Sequence, residues 1–189
     1  NKMRIGVLAV QGAFAEHIRR LWELGAQAFE IRKSSDLTAE MDGLILPGGE
    51  STVMGKLLDD LDLMIPLKSA IENGLPVFGT CAGMILLAGK IEGGEAPHFA
   101  TMDMVVRRNA YGRQLGSFSC REPFAGKEIE MRFIRAPFVA SAGKNVEVLA
   151  RHQDKIIAVR QGKQLATAFH PELTGDPFVY QYFFEMIRC

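Results

Sequence analysis

The 189-residue chain has few of the features that mark disulfide-rich, basic or membrane-spanning proteins. Its cysteines, Cys81, Cys120 and Cys189, are odd in number and follow neither a disulfide pattern nor zinc-ligand spacing, so we expect the cytoplasm and no metal. Lysine plus arginine and aspartate plus glutamate number 22 each. This balance lacks the positive excess of a nucleic-acid binder. No apolar run approaches the ~20 residues that cross a bilayer, so we expect no membrane partner.

The first half of the chain alternates short apolar runs with amphipathic helical patterns. The runs lack helical periodicity, as buried parallel strands do, and lie at 4–10 (RIGVLAV), 26–32, 43–46 (GLIL) and 76–79. The helical patterns lie at 15–24, near 52–58, near 63–72, at 82–91 and, at the end of the chain, 177–188. This alternation predicts an open, mostly parallel α/β sheet with helices on both faces.

The region from 103 to 168 shows short strand candidates separated by turn signals and no convincing helix. The candidates are 104–106, 128–134, 146–150, 156–160 and 165–169. They predict a small antiparallel extension on one edge of the sheet. No linker or repeat divides the chain, so we expect a single domain over residues 1–189.

The segment Gly79-Thr80-Cys81-Ala82-Gly83 has the form of a nucleophile elbow, a sharp turn from a strand into a helix. Flanking glycines allow the tight turn and close helix–strand packing. The turn would expose the sulfur at the carboxyl edge of the sheet and at a helix N-terminus, which favours a thiolate, with the Ala82 N–H facing an oxyanion. An inert cysteine buried at a strand–helix junction is the alternative.

The segment FHPE at 169–172 follows a strand candidate and offers a base for such a nucleophile. His170 and Glu172 are two residues apart, so in extended backbone their side chains point to the same side. Glu172 could then hold the imidazole while His170 takes and returns a proton. A strand-ending turn with a solvated glutamate is the alternative.

The segment LPGGEST at 46–52 is another strand end that leads into a helix. The Gly49 N–H could be the second donor of an oxyanion hole, opposite Ala82. The glycines could instead form a phosphate cradle, although the spacing of a P-loop is missing and Glu50 would repel phosphate. A plain Gly-Gly turn capped by Ser51 also fits this sequence.

Two arginines in the strand-rich region, Arg108 and Arg135, could grip a carboxylate with paired hydrogen bonds. A solvated surface charge is the usual alternative for any single arginine. The apolar flanks of Arg135 (FIRAPF) make it the stronger candidate for a binding residue.

Six segments together carry a resemblance to a known family: AVQGAFAEH, LILPGGEST, FGTCAGMILLA, RRNAYGRQ, FIRAP and AFHPELT. Their order and spacing resemble class I, triad-type glutamine amidotransferases of flavodoxin-like fold, and among these the glutaminase subunits of pyridoxal 5′-phosphate synthases. The resemblance covers nearly the whole chain. It implies hydrolysis of L-glutamine through a cysteine thioester, with no cofactor of its own.

The resemblance also implies a role for individual residues. Cys81, His170 and Glu172 match the catalytic triad, and Gly49 and Ala82 match the oxyanion hole. Glutamine would be bound by the following matching positions: Gly49, Glu50, Ser51, Arg108, Ile134 and Arg135. Gln11 matches a residue that the family places near the oxyanion hole and the synthase interface.

A partner for the released ammonia is part of the same expectation. The glutaminase pattern occupies the whole chain, so we expect a separate ring-forming synthase subunit, a TIM barrel, to dock over the site in a hetero-oligomer and receive the ammonia. Two alternatives stay open at this point. One is a cysteine hydrolase that acts without a partner, such as a γ-glutamyl peptidase, and the other is a non-catalytic flavodoxin-like module that binds phosphate at GGEST.

Overall fold

The computed structural model describes residues 2–38, 40–108 and 117–189, and these residues form one large mixed sheet, one small sheet and helices. The strands are β1 (Arg4–Leu8), β2 (Gln27–Ile31), β3 (Gly43–Leu46), β4 (Val77–Thr80), β5 (Ala88–Ile91), β6 (Met102–Arg107), β7 (Ser117–Phe124), β8 (Lys127–Ile134), β9 (Phe138–Ala142), β10 (Glu147–His152), β11 (Lys155–Gln161) and β12 (Gln164–Thr167). The α-helices are α1 (Phe14–Glu23), α2 (Ser51–Asp60), α3 (Met64–Glu72), α4 (Ala82–Leu87) and α5 (Phe178–Arg188), with short 3₁₀ turns at Ser34–Thr38 and Pro171–Leu173. Within this described part, every helix falls short of the length and apolarity that a bilayer crossing demands.

Five strands in the order β2-β1-β3-β4-β12 form a parallel half of the large sheet. The chain moves one way from β1 to β2 and the other way from β3 to β4, so the strand order reverses between β1 and β3. Because parallel crossovers are right-handed, this reversal puts α1 on one face and α2 with α3 on the other. Open α/β sheets bind ligands at the carboxyl edge near such a reversal.

The other half of the large sheet continues from β12 through β11, β9, β6 and β5, with β10 paired to β11. Strand β11 runs antiparallel to β12, β9 and β10, and β9 runs antiparallel to β6. Strands β7 and β8 form a separate antiparallel ribbon. The predicted fold class, a mostly parallel α/β sheet with an antiparallel edge extension, is confirmed.

The predicted helix at 82–91 is wrong in its second half. Helix α4 ends at Leu87, and the next residues form β5, which pairs with β6. Backbone N–H groups of Phe99 and Thr101 donate to the carbonyls of Leu86 and Leu87 at 2.9 and 3.0 Å. These carbonyls are therefore taken by a distant segment and cannot continue the helix.

Besides β5, two strands were not predicted, β7 and β9. The segment predicted as a strand at 165–169 has an unexpected place in the sheet. It forms β12, which belongs to the parallel half and not to the antiparallel extension. In its register with β4, Leu165 lies beside Phe78 and Thr167 beside Thr80. The residues that follow β12 and β4 therefore emerge side by side at the carboxyl edge.

The contact of α4 with the sheet depends on Gly79 and Gly83. A β-carbon added at Gly79 would lie 2.5 Å from the Gly83 carbonyl oxygen, and one added at Gly83 would overlap the backbone carbonyl of Leu46. The obstructing atoms are backbone, so they cannot rotate away. The absence of side chains here lets α4 begin directly against β3 and β4.

We expect Gly83→Ala to lower the free energy of unfolding by about 1–3 kcal/mol, because overpacking at this contact outweighs the ~1 kcal/mol gain in helix propensity. Urea unfolding followed by circular dichroism measures this change. Gly175→Ala is the matched control, since nothing lies within 4 Å of an added β-carbon there. Equal stability of the two variants would contradict the packing argument.

Candidate active site

One cavity of about 390 Å³ opens at the carboxyl edge, where β3, β4 and β12 end. It is lined by nine of the residues singled out from the sequence: Gly49, Glu50, Ser51, Cys81, Ala82, Arg108, Ile134, Arg135 and His170. Glu172 and Gln11 are not among the lining residues, and each contacts a residue of the lining from behind. The structure therefore brings the predicted site residues together around one cavity.

Cys81 joins β4 to α4 in a strained conformation, with φ 53° and ψ −105°. A non-glycine residue at such angles costs about 1–3 kcal/mol and persists only when its surroundings enforce it. Here the Cys81 N–H donates to the Thr167 carbonyl of β12 at 2.8 Å. The side chain is 8% exposed, and Sγ lies 3.9 Å from the Ile134 carbonyl oxygen.

His170 and Glu172 form a buried hydrogen-bonded pair after β12. The Nδ1 atom of His170 lies 2.7 Å from Oε2 of Glu172, and both side chains are almost inaccessible to solvent. Glu172 lies in the 3₁₀ turn Pro171–Leu173, so this turn, and not an extended strand, directs its carboxylate to the imidazole. The backbone N–H of His170 donates to the backbone carbonyl of Arg132 at 2.8 Å, which fixes this segment to β8.

The other ring nitrogen of His170 faces Cys81. Burial lowers the pKa of His170, but Cys81 and then Glu172 outweigh this effect and raise the pKa to about 10. Among the described residues, Nε2 has no hydrogen-bond partner within ordinary geometry. Cys81 therefore lies close enough to influence the imidazole without forming a well-aligned hydrogen bond with it.

Backbone groups of the 48–50 segment are held by the loop after β1. The Ala13 N–H donates to the Gly48 carbonyl at 3.0 Å, and the Glu50 N–H donates to Oε1 of Gln11 at 2.8 Å. The C=O and N–H of a trans peptide point in opposite directions, so the Gly49 N–H points away from Ala13. Ala13 and Gln11 thus fix the backbone on the two sides of Gly49, Ala13 at Gly48 and Gln11 at Glu50.

A cluster of charged and polar side chains lies at one wall of the cavity, the outer wall, which Glu50, Ser51 and Arg108 line. Arg108 donates to Glu50 at 2.8 Å and to Glu95 at 2.6 Å, and Ser51 donates to Glu95 at 2.9 Å. His98 lies 2.6 Å from the same Glu95 oxygen that Ser51 binds. Burial raises the pKa of Glu50, but hydrogen bonds from Thr52 and Arg108 give a net lowering. Residues 109–114 of RRNAYGRQ lie outside the described residues.

Another part of the cavity lining comes from the end of β8 and the residue after it. Ile134 is 39% exposed, and Arg135 is exposed with a positive φ of 45°. Arg108, held by two carboxylates, is the more firmly placed of the two predicted arginines. The apolar flanks of Arg135 reflect the buried Ala136 and Phe133 and not a buried guanidinium.

Sequence reasoning missed several polar residues of the site, among them Glu95 and three side chains behind Glu172. His17 lies 3.5 Å from the carboxylate of Glu172, and it contacts Tyr180 at 2.8 Å and Thr80 at 3.3 Å. A signal for His17 existed, because it lies one turn before Leu21 on the buried face of α1. The EGGEAPH segment that contains Glu95 carries no comparable signal. In the described ranges, no three His, Cys, Asp or Glu side chains are grouped as metal ligands would be.

Known proteins resemble this chain over nearly its full length. A pyridoxal 5′-phosphate synthase subunit PdxT from Methanocorpusculum labreanum is 61% identical, with 98% of each chain covered. A subunit of the same name from Streptococcus pneumoniae is 52% identical over 98% of each chain. A crystal structure of a glutamine amidotransferase superposes with a TM-score of 0.92 at 45% identity, covering 98% of this chain and 99% of the other.

A more distant structure, PurLQS from Thermotoga maritima, superposes with a TM-score of 0.75 at 15% identity and shares the fold alone. The model of the SNO glutamine amidotransferase family matches residues 7–189. Together with the nearly full-length relatives, this match shows that the chain belongs to the SNO glutamine amidotransferase family.

Proposed function

We propose that this chain is the glutaminase subunit of a pyridoxal 5′-phosphate synthase and hydrolyses L-glutamine with Cys81, His170 and Glu172. The arrangement that carries the proposal is a strained cysteine facing an imidazole whose other nitrogen is bound by a buried carboxylate. Membership of the glutamine amidotransferase family supports glutamine as the substrate, and the 61% identical relative supports the use of its ammonia in vitamin B6 synthesis.

The reaction proceeds through a thioester. The Cys81 thiolate attacks the side-chain amide carbon of glutamine, and His170 donates a proton to the nitrogen as the carbon–nitrogen bond breaks and ammonia leaves. Water then attacks the γ-glutamyl thioester while His170 takes its proton, and glutamate departs as the Cys81 thiolate re-forms. Glu172 holds the Nδ1–H of His170 throughout and stabilises the imidazolium.

The oxyanion of each tetrahedral intermediate is bound by the N–H groups of Ala82 and Gly49. Ala82 is the first residue of α4, so its N–H has no acceptor one turn earlier in the helix. Gly49 lies between two backbone groups held by the β1–α1 loop. We assign Gln11 to this support and to the interface with the partner.

Glutamine binds in the cavity with its charged end at the outer wall. A free α-amino acid carries both a carboxylate and an ammonium group, and Arg108 and Glu50 offer one charge of each sign. Gly49, Ser51, Ile134 and Arg135 complete the pocket, which has room for one amino acid. Arg108 is the main carboxylate ligand, because Glu95 holds its guanidinium in place.

The ammonia passes to a synthase subunit, a TIM barrel that docks over the site in a hetero-oligomer. Ammonia released into water near neutral pH becomes protonated and loses its nucleophilicity, so transfer requires a covered site. The exposed Ile134 and Leu173 beside the catalytic residues support docking here. We assign residues 1–189 to one glutaminase domain with a continuous core, and we place it in the cytoplasm, where a catalytic thiol stays reduced.

Glutaminase assays with and without the cognate synthase subunit test the function. The wild-type chain with synthase should release ammonia from glutamine, and Cys81→Ala should release none while unfolding at the same urea concentration. Cys120→Ala is the matched control, because burial and then Glu122 raise the pKa of Cys120 to about 11 and keep it a thiol. Retained turnover by Cys81→Ala would refute the catalytic assignment.

The protonation of His170 should depend on Cys81. Cys81→Ala removes one of the two groups that raise the pKa of His170, so the pKa should fall while burial continues to lower it. An NMR titration of the His170 ring proton Hε1 measures this change. Cys120→Ala should leave the value unchanged, and equal pKa values in wild type and Cys81→Ala would show that the imidazole does not sense the sulfur.

Arg108→Ala should raise the KM for glutamine by about 10- to 100-fold, the equivalent of losing charge-assisted hydrogen bonds, with a smaller effect on kcat. Arg135→Ala should also act mainly on KM, with a smaller rise because its side chain is exposed. Steady-state assays of the complex with synthase measure both. Arg107→Ala is the control, because Arg107 pairs with Glu92 outside the cavity. An unchanged KM would remove either arginine from the pocket.

A further inference from the structure

A chain of polar side chains continues behind the catalytic carboxylate into the core. Glu172 binds His170 through Oε2, and its other oxygen, Oε1, lies 3.5 Å from Nε2 of His17. The Nδ1 atom of His17 lies 2.8 Å from the Tyr180 hydroxyl. His17 and Tyr180 are both 0% exposed, so no solvent can replace these contacts.

The contacts of His17 fix which of its nitrogens carries the proton. Burial lowers the pKa of His17, with a smaller opposing effect of Glu172, so the ring is neutral near pH 7. Burial raises the pKa of Tyr180, which keeps its hydroxyl protonated and able to donate to Nδ1 of His17. The remaining proton then lies on Nε2, where it faces the Glu172 oxygen and Thr80. The other tautomer would turn a lone pair toward a carboxylate.

Glu172 needs this support, because its Oε1 is buried and has no well-aligned hydrogen bond among the described residues. An anion in this position costs free energy unless neighbouring dipoles and charges compensate it. Burial raises the pKa of Glu172, and positive charge on His17, followed by the hydrogen bond and charge of His170, outweighs that effect and lowers it. With His17 neutral its charge is absent, and the contact that remains is its Nε2–H dipole, 3.5 Å from Oε1 of Glu172.

The other charged groups around this chain of side chains lie on several elements. They are Cys81 beside His170, Glu16 on α1, and Arg20 and Glu23 near the phenol of Tyr180. Arg20 also binds Glu23 at 2.9 Å at the surface end of this chain. Of the groups that act on Glu172, His17 is the one that faces Oε1.

We propose that His17, with its tautomer set by Tyr180, is a positioning residue that keeps Glu172 ionised and aimed at His170 during glutamine hydrolysis. This inference rests on the proposed function. His17 does not touch the cavity, so it acts through Glu172 and not on the substrate. Its effect therefore belongs in kcat and in the pH dependence of the reaction, and not in glutamine binding.

The test compares variants in the assembled complex with synthase. His17→Leu removes the N–H donor and introduces an apolar side chain of similar size, whereas His17→Gln retains an N–H donor. Tyr180→Phe removes only the hydroxyl that sets the tautomer. Leu21→Ala, one turn further along the same buried face of α1, is the control for loss of packing alone.

For His17→Leu we expect kcat to fall about 10-fold, the rate equivalent of one buried group left without its partner, with little change in KM. The acidic limb of the pH profile should move to higher pH, because Glu172 becomes easier to protonate. His17→Gln should restore part of both, and Tyr180→Phe should shift the profile in the same direction by less.

Two results would overturn the inference and leave the proposed function intact. One is a His17→Leu enzyme with the wild-type pH profile and a kcat no lower than that of Leu21→Ala. The other is a Tyr180→Phe enzyme that remains folded and has the wild-type profile. Failure of the proposed function has a different signature, since the wild-type complex itself would then release no ammonia from glutamine.

Discussion

The parallel pairing of β12 with β4 is the contact on which the candidate site depends. The two strands are far apart in sequence, and their register places Thr167 beside Thr80. The same ladder continues through the Cys81 N–H, which donates to the Thr167 carbonyl. Cys81 and the segment that leads to His170 are thus held by backbone hydrogen bonds, and the strained Cys81 conformation is enforced by the sheet.

Electrostatics impose a second constraint, because Glu172, whose carboxylate binds His170, is only 2% exposed. An isolated ionised carboxylate in such a place would take up a proton. The fold surrounds it with imidazoles on both sides, His170 toward the cavity and His17 toward the core. The chain of polar side chains therefore extends from His170 at the cavity through His17 on α1 to Tyr180 on α5. Helices that do not line the cavity thus contribute to the charge state of Glu172.

Much of the candidate site could be predicted from the sequence, because each residue proposed as catalytic lies next to a strand end with distinctive local chemistry. Cys81 lies between glycines that α4 requires for contact with β3, and His170 precedes a proline that starts a short turn. Parts that depend on distant partners could not be predicted. The sequence of β5 continues the helical pattern of α4. The helix nevertheless ends before β5, because the backbone N–H groups of Phe99 and Thr101 bind the carbonyls of Leu86 and Leu87.

The same limit applies to single polar side chains. Glu95 is one glutamate in a glycine-rich segment, and its importance arises only when Arg108, Ser51 and His98 converge on it. His17 gave a weak signal, since a histidine on the buried face of an amphipathic helix needs a partner. The identity of that partner could not be inferred, because Glu172 and Tyr180 reach it from the far end of the chain.

The two sides of the cavity are held by interactions of different kinds. Cys81 and His170 are held by backbone hydrogen bonds to β12 and β8, which belong to the sheets. The side formed by Glu50 and Arg108 depends on side-chain contacts, Gln11 with the Glu50 backbone and Arg108 with two carboxylates. A hydrogen bond of this kind contributes about 0.5–3 kcal/mol, depending on charge, whereas disrupting a sheet ladder breaks many bonds at once. The loop around Gly49 is therefore the part of the site that can rearrange at small energetic cost, while Cys81 and His170 stay fixed.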